Sequence, residues 1–99
     1  MNTEISLASL VKINEEVLFQ ELRGEAVLLN LKSGVYLGLD TVGTCIWNLL
    51  RQHSRLQDVL DAMLREYDVG EERCAHDLLK LVSEMEQHGL AEVLPEPEC

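Results

Sequence analysis

Residues 33–43 read SGVYLGLDTVG, from Ser33 to Gly43. Ser33-Gly34 is turn chemistry, VYLGL is a strand, and Asp40 or Thr41 caps the start of a helix. The strand, Val35–Leu39, carries neither charge nor proline, and Gly38 stands inside it. Whether this strand is covered or left as an open edge decides both the layout of the sheet and what the surface can bind.

Working upstream, AVLLNL (Ala26–Leu31) reads as a strand apolar on both faces, the pattern of a central strand covered on both sides. VLFQEL (Val17–Leu22) reads as the strand before it, ended by Arg23-Gly24. Both connections are short and contain glycine, so both predict hairpins and an antiparallel meander in the order one, two, three. Residues 1–16 fit either an extended arm or a short amphipathic turn, through Ile5, Leu7, Leu10, Val11 and Ile13.

Downstream the apolar period changes from two to about 3.6. Val42, Cys45, Ile46, Leu49 and Leu50 share one helix face. SRLQ (Ser54–Gln57) has capping-box form and opens a second helix along Leu56, Val59, Leu60, Met63, Leu64 and Tyr67. Asp68 and Glu71 stand at the start of a third, which ends at Gly89 with Leu90 folding back onto Met85. AEVL (Ala91–Leu94) suits a short end strand. Three strands followed by three helices make an α+β layout. The third helix carries Cys74, Ala75, Leu78, Leu79, Leu81, Val82 and Met85 over an arc of roughly 160°, wider than the ~100° a core stripe needs. Either the helix packs on two sides, or part of that arc faces a partner.

In such a meander the third strand is an edge, and natural edges are normally blunted by charge or proline. Glu16, Gln20 and Glu21 protect the first strand; nothing protects VYLGL. An open edge beside surplus apolar helix surface is what strand addition of a peptide requires. The alternative is that the N-terminal arm or the end strand covers it. An open edge could also pair with its own copy, giving a homodimer.

Composition narrows the function classes. The 99 residues carry a net charge of -10, which disfavours nucleic acid and anionic membrane surfaces. Three widely spaced cysteines and no signal-peptide pattern or membrane-length apolar run fit a cytoplasmic protein. No spacing of Cys74, His76 and His88 suits a metal, and no nucleophile elbow or phosphate loop occurs, so neither cofactor nor catalysis is expected. Cys45 reads as a core residue, Trp47 as a partly buried aromatic, His88 as a helix C-terminal residue and Asp61–Arg65 as an i,i+4 pair. One domain, residues 15–93, follows an arm of residues 1–14 and precedes a disordered tail, residues 94–99, ending in Cys99.

The run LLNLKSGVYLGLDTVGTCIWNLL, Leu28–Leu50, resembles the PqqD family. The likeness lies in Leu28-Leu29, Gly34, Tyr36, Leu39, Gly43, Ile46-Trp47 and Leu49-Leu50, and extends more loosely over residues 15–93. Asn30 stands where an acid is common, Asp40 where Asn is, and Leu37 where a second aromatic is frequent, which leaves the subfamily open. The resemblance implies a winged-helix-like domain that binds the leader of a ribosomally made precursor peptide as an extra strand. The modifying partner would be a radical SAM enzyme, as in pyrroloquinoline quinone biosynthesis, or a leader peptidase, as in lasso-peptide systems. Val35, Tyr36, Leu37, Gly38 and Leu39 would supply the strand contacts. Leu78, Leu81, Val82 and Met85 would line the groove, with Asp77 and Glu84 on its rim facing basic leader residues. The alternatives are a winged-helix DNA-binding regulator and a structural adaptor docked on an enzyme. The regulator would read DNA with a helix bearing two cations, Arg73 and Lys80, against five carboxylates.

Overall fold

The computed structural model describes residues 5–68 and 70–94. The elements are β1 (Leu10–Ile13), β2 (Val17–Leu22), β3 (Glu25–Asn30), β4 (Tyr36–Leu39), α1 (Thr41–Leu50), α2 (Leu56–Glu66), α3 (Glu71–Gln87) and β5 (Ala91–Leu94). The expected α+β layout is present: an antiparallel meander in the order β2-β3-β4, then three helices.

Each hairpin follows from its turn residues. Arg23 and Gly24 both have positive φ (57° and 82°), the two-residue turn whose twist matches the strands it joins. At the second hairpin Asn30 organises the turn. Its Oδ1 accepts from the Lys32 and Ser33 N–H groups, and its carbonyl accepts from Gly34, whose φ is +78°. The Asn30 N–H donates to the Val35 carbonyl at 2.8 Å, so Val35 closes the hairpin just before β4 begins.

The helices cover one face of this sheet. Ala26, Leu28 and Leu39 point inward and are buried, together with Ile46, Trp47, Leu56, Leu78 and Met85. The opposite face is open. Val27 is 48% exposed, so β3 is central but covered on one side only, contrary to the expectation from its continuous apolar run. An antiparallel meander needs no crossover helix, and α1 packs on one side of β3 and β4 with α2 and α3 behind it.

A second sheet pairs β1 with β5, Leu10 opposite Leu94 and Ile13 opposite Ala91. The arm is therefore part of the fold. It also runs beside the start of α2: Val11 N–H donates to the Ser54 carbonyl, while the Ser9 and Leu7 carbonyls accept from Leu56 and Gln57 N–H. These carbonyls satisfy amide groups that a helix start leaves without partners. The Ser54 capping box is thus corrected. The N-cap is Arg55, with no side-chain cap bond, because the arm's backbone does that work. The start of α3 departs likewise: its N-cap is Gly70, again with no side-chain cap.

Two caps are as expected. Asp40 Oδ1 accepts from Gly43 N–H at 2.7 Å at the start of α1. Gly89 (φ +71°) ends α3 with Leu90 N–H returning to the Met85 carbonyl, and Leu90 is fully buried. The Gly89 carbonyl accepts from both Asn14 and Asn30 Nδ2 at 3.0 Å. Asn30 thus ties the hairpin that leads into β4 to the end of α3.

Candidate functional site

The pairing of β1 with β5 answers the question raised by VYLGL. Among the described residues, the arm and the end strand pair with each other, and β4 is the terminal strand of its sheet. Its register opposes Leu39 to Ala26, Gly38 to Val27, Leu37 to Leu28 and Tyr36 to Leu29. Hydrogen-bonded pairs alternate along an antiparallel ladder. Counting from the Asn30–Val35 bond, Leu37 and Leu39 direct their backbone groups to β3. Tyr36 and Gly38 direct theirs to the open edge. Gly38 adds no bulk: a Cβ built on it meets nothing within 4 Å.

Between this edge and α3 lies a cleft of about 470 Å³. Val42 supplies most of its apolar surface, with Leu39 and Leu81 at its floor, and Arg73, Asp77, Lys80 and Glu84 line its α3 side. Asp77 and Glu84 thus face the cleft from α3. Asp40 also lines the cleft, with its carboxylate engaged in capping α1. A more apolar hollow adjoins it, sharing Val42, Ile46, Arg73 and Asp77 and reaching Met63 and Cys74.

Of the four α3 residues expected in the groove, Leu81 alone lines it. Leu78, Val82 and Met85 have no exposed surface, which corrects their assignment as groove residues. The wide arc has a structural cause: α3 packs against both α2 and β5, with a lesser contact to α1. Of the strand residues, Tyr36 is 70% exposed, Val35 and Gly38 are exposed, Leu37 is half-buried and Leu39 is buried at the cleft floor.

Val42, Ile46, Arg73 and Lys80 were missed by the sequence reading. Val42 shares the apolar face of α1, yet it is 47% exposed and lines the cleft. The two cations had a signal available, because positions 73, 77, 80 and 84 share one side of a helix with Leu81 beside them.

Other singled-out residues are structural. Trp47 is buried edge-on against Phe19, with ring centroids 5.5 Å apart, and Arg51 lies over the Phe19 ring. Burial, with a smaller contribution from Asp77, pushes the Cys74 thiol above its ordinary pKa. Tyr67 O–H donates to Cys45 Sγ at 3.2 Å, and this bond raises the Tyr67 pKa. His88 Nδ1 lies 2.7 Å from the Glu84 carbonyl at the end of α3. Asp61 accepts from Gln57 rather than pairing with Arg65. Cys99 lies outside the described residues. Among the described residues no group of three His, Cys, Asp or Glu is placed to hold a metal, and no helix is long and apolar enough to cross a membrane.

Comparison with known proteins gives a consistent result. Residues 25–91 match the family of coenzyme PQQ synthesis protein D, PqqD. No curated protein matches the sequence. Among solved structures, TbiB1 in complex with the TbiA(beta) leader peptide is 36% identical, with a TM-score of 0.74 over 82% of this chain and 94% of that one. Lasso peptide synthetase B1, complexed with its leader peptide, is 29% identical, with a TM-score of 0.65 over 83% of this chain and 96% of that one.

Proposed function

The chain belongs to the PqqD family, and on that premise we propose that it is a non-catalytic domain that binds the leader of a ribosomal precursor peptide. The leader adds to the sheet as a strand beside β4, and the domain presents the rest of the precursor to a modifying enzyme. The observation that carries this reading is the open edge of β4 above a cleft walled by α3. The outward amides and carbonyls of Tyr36 and Gly38 are a backbone template, and Val42, Leu39 and Leu81 offer apolar surface to the inward side chains.

The two leader-bound structures are of proteins similar to this one over more than four-fifths of its length, which supports the same ligand class here. The lasso synthetase favours a leader peptidase as the enzyme partner over a radical SAM enzyme. Strand addition would also place the leader where a second copy of β4 would pair, so leader binding and homodimerisation through this edge would compete.

The test is a titration of a candidate precursor leader peptide, followed by backbone amide shifts. Strand addition predicts the largest shifts at Tyr36, Gly38 and the cleft-facing turns of α3 around Lys80 and Leu81. Shifts confined to β1, β5 or α2 would refute it.

A further inference from the structure

The α3 wall of the cleft carries an ordered charge pattern. Arg73, Asp77, Lys80 and Glu84 follow one another along it as plus, minus, plus, minus. At 100° per residue the four fall within about 60° of each other, so they form a single stripe. Leu81 flanks that stripe on its core side. The chain as a whole carries -10, yet this stripe is balanced.

Within the described residues these charges are used little: Asp77 acts weakly on the Cys74 thiol. Among the described residues, none of the four side chains has a salt-bridge or hydrogen-bond partner. Asp77 and Glu84 are half-buried all the same. Both i,i+4 pairs, Arg73–Asp77 and Lys80–Glu84, place the cation first, the less favourable order for pairing within a helix.

The spacing suits an extended ligand. Steps of four, three and four residues are about 6, 4.5 and 6 Å along a helix axis. Side chains on one face of a strand recur every ~6.8 Å. The cleft takes in the Gly38–Asp40 end of β4, so a strand added there would turn the inward side chains near that end toward this stripe, where neighbouring charges differ in sign.

We infer that Arg73, Asp77, Lys80 and Glu84 are specificity residues. They select leaders whose inward-facing side chains alternate in charge, an acid and a base two residues apart, rather than uniformly basic leaders. This inference rests on strand addition at β4. It changes which peptides are chosen, since the backbone bonds themselves are indifferent to sequence.

The experiment is selection of a phage-displayed library of random 15-residue peptides on the full chain, on Lys80→Glu, on Asp77→Lys/Lys80→Glu and on Gly38→Pro. The wild-type chain is expected to enrich peptides with opposite charges at i and i+2. The double variant turns the stripe into plus, plus, minus, minus, so it should instead enrich peptides with like charges at i and i+2. A peptide selected on the wild type should bind Lys80→Glu about 5- to 10-fold more weakly, since exposed pairs shift affinity by about two- to five-fold and reversal adds repulsion. Lys80 is exposed, so the single variant stands even if the half-buried Asp77 tolerates lysine poorly. If Gly38→Pro abolishes capture but the enriched charge pattern is the same on every α3 variant, or absent, the inference is overturned while strand addition stands. If Gly38→Pro captures the same peptides as the wild type, or no variant enriches any peptide, strand addition fails and this inference fails with it.

Discussion

Proline substitution along β4 separates the fold from the binding edge. Proline removes one backbone N–H and is tolerated in a sheet where that N–H faces away from the neighbouring strand. The register assigns the Leu37 N–H to β3, opposite Leu28, and the Gly38 N–H to the open edge. Leu37→Pro therefore strands the carbonyl of Leu28, a residue with no exposed surface, at about 1–3 kcal/mol. Lost packing of the half-buried Leu37 side chain adds about 1 kcal/mol. A total of about 2–4 kcal/mol is a large share of a small domain's stability and lowers Tm by about 10–25 °C. Gly38→Pro breaks no bond within the sheet, and the space around Gly38 is empty, so its melt should fall by only a few degrees, about 1 kcal/mol or less. It removes a donor that an added strand needs and puts a ring in its path. Leaving one ligand carbonyl unpaired costs about 1–3 kcal/mol, or roughly 5- to 150-fold in Kd. Gly38→Ala keeps the N–H and should bind like the wild type. Circular dichroism melts and fluorescence anisotropy with labelled precursor peptide measure both halves. Unchanged binding by a folded Gly38→Pro would refute strand addition at this edge, and an undisturbed melt for Leu37→Pro would refute the register.

Alanine at Leu78 or Met85 should cost about 2–5 kcal/mol in urea titration, since both are fully buried, whereas Leu81→Ala should lose less stability and weaken peptide binding instead. Equal stability losses with unaltered binding would remove Leu81 from the site. The Cys74 pKa is raised in the fold above its ordinary 9.0, so its contribution is complete below that value and is lost as pH rises through the folded pKa. Stability should therefore decline on the alkaline side, and Cys74→Ala should flatten that part of the profile; an identical slope in the variant would refute the assignment. Duplex DNA should bind no better than non-specifically even at low salt, because α3 presents five carboxylates against two cations. Micromolar anisotropy binding with a steep salt slope would instead favour the regulator.

The local parts of this fold are legible in the sequence because local chemistry makes them. Gly24 and Gly34 take left-handed conformations at the two hairpins, Asp40 caps α1, and Gly89 ends α3. The capping signals at Ser54 and Asp68 do not become side-chain caps, because the same residue types also stand near a helix start without capping it. For α2 the acceptors are the carbonyls of Leu7 and Ser9, nearly fifty residues upstream, and no side-chain pattern reports on a backbone carbonyl. The groove on α3 was half legible for a related reason. A helical wheel gives the width of an apolar arc but not its zero. Its direction is set by where β5 and α2 pack, and that places Leu78, Val82 and Met85 inside and leaves Leu81 at the margin. The charges at 73, 77, 80 and 84 read equally well as a solvated face until something stands opposite them. What stands opposite is β4, and β4 is open only because β1 pairs with β5. The candidate site is therefore decided by a contact between four-residue strands some eighty positions apart, the part of the fold for which the sequence carries least local signal.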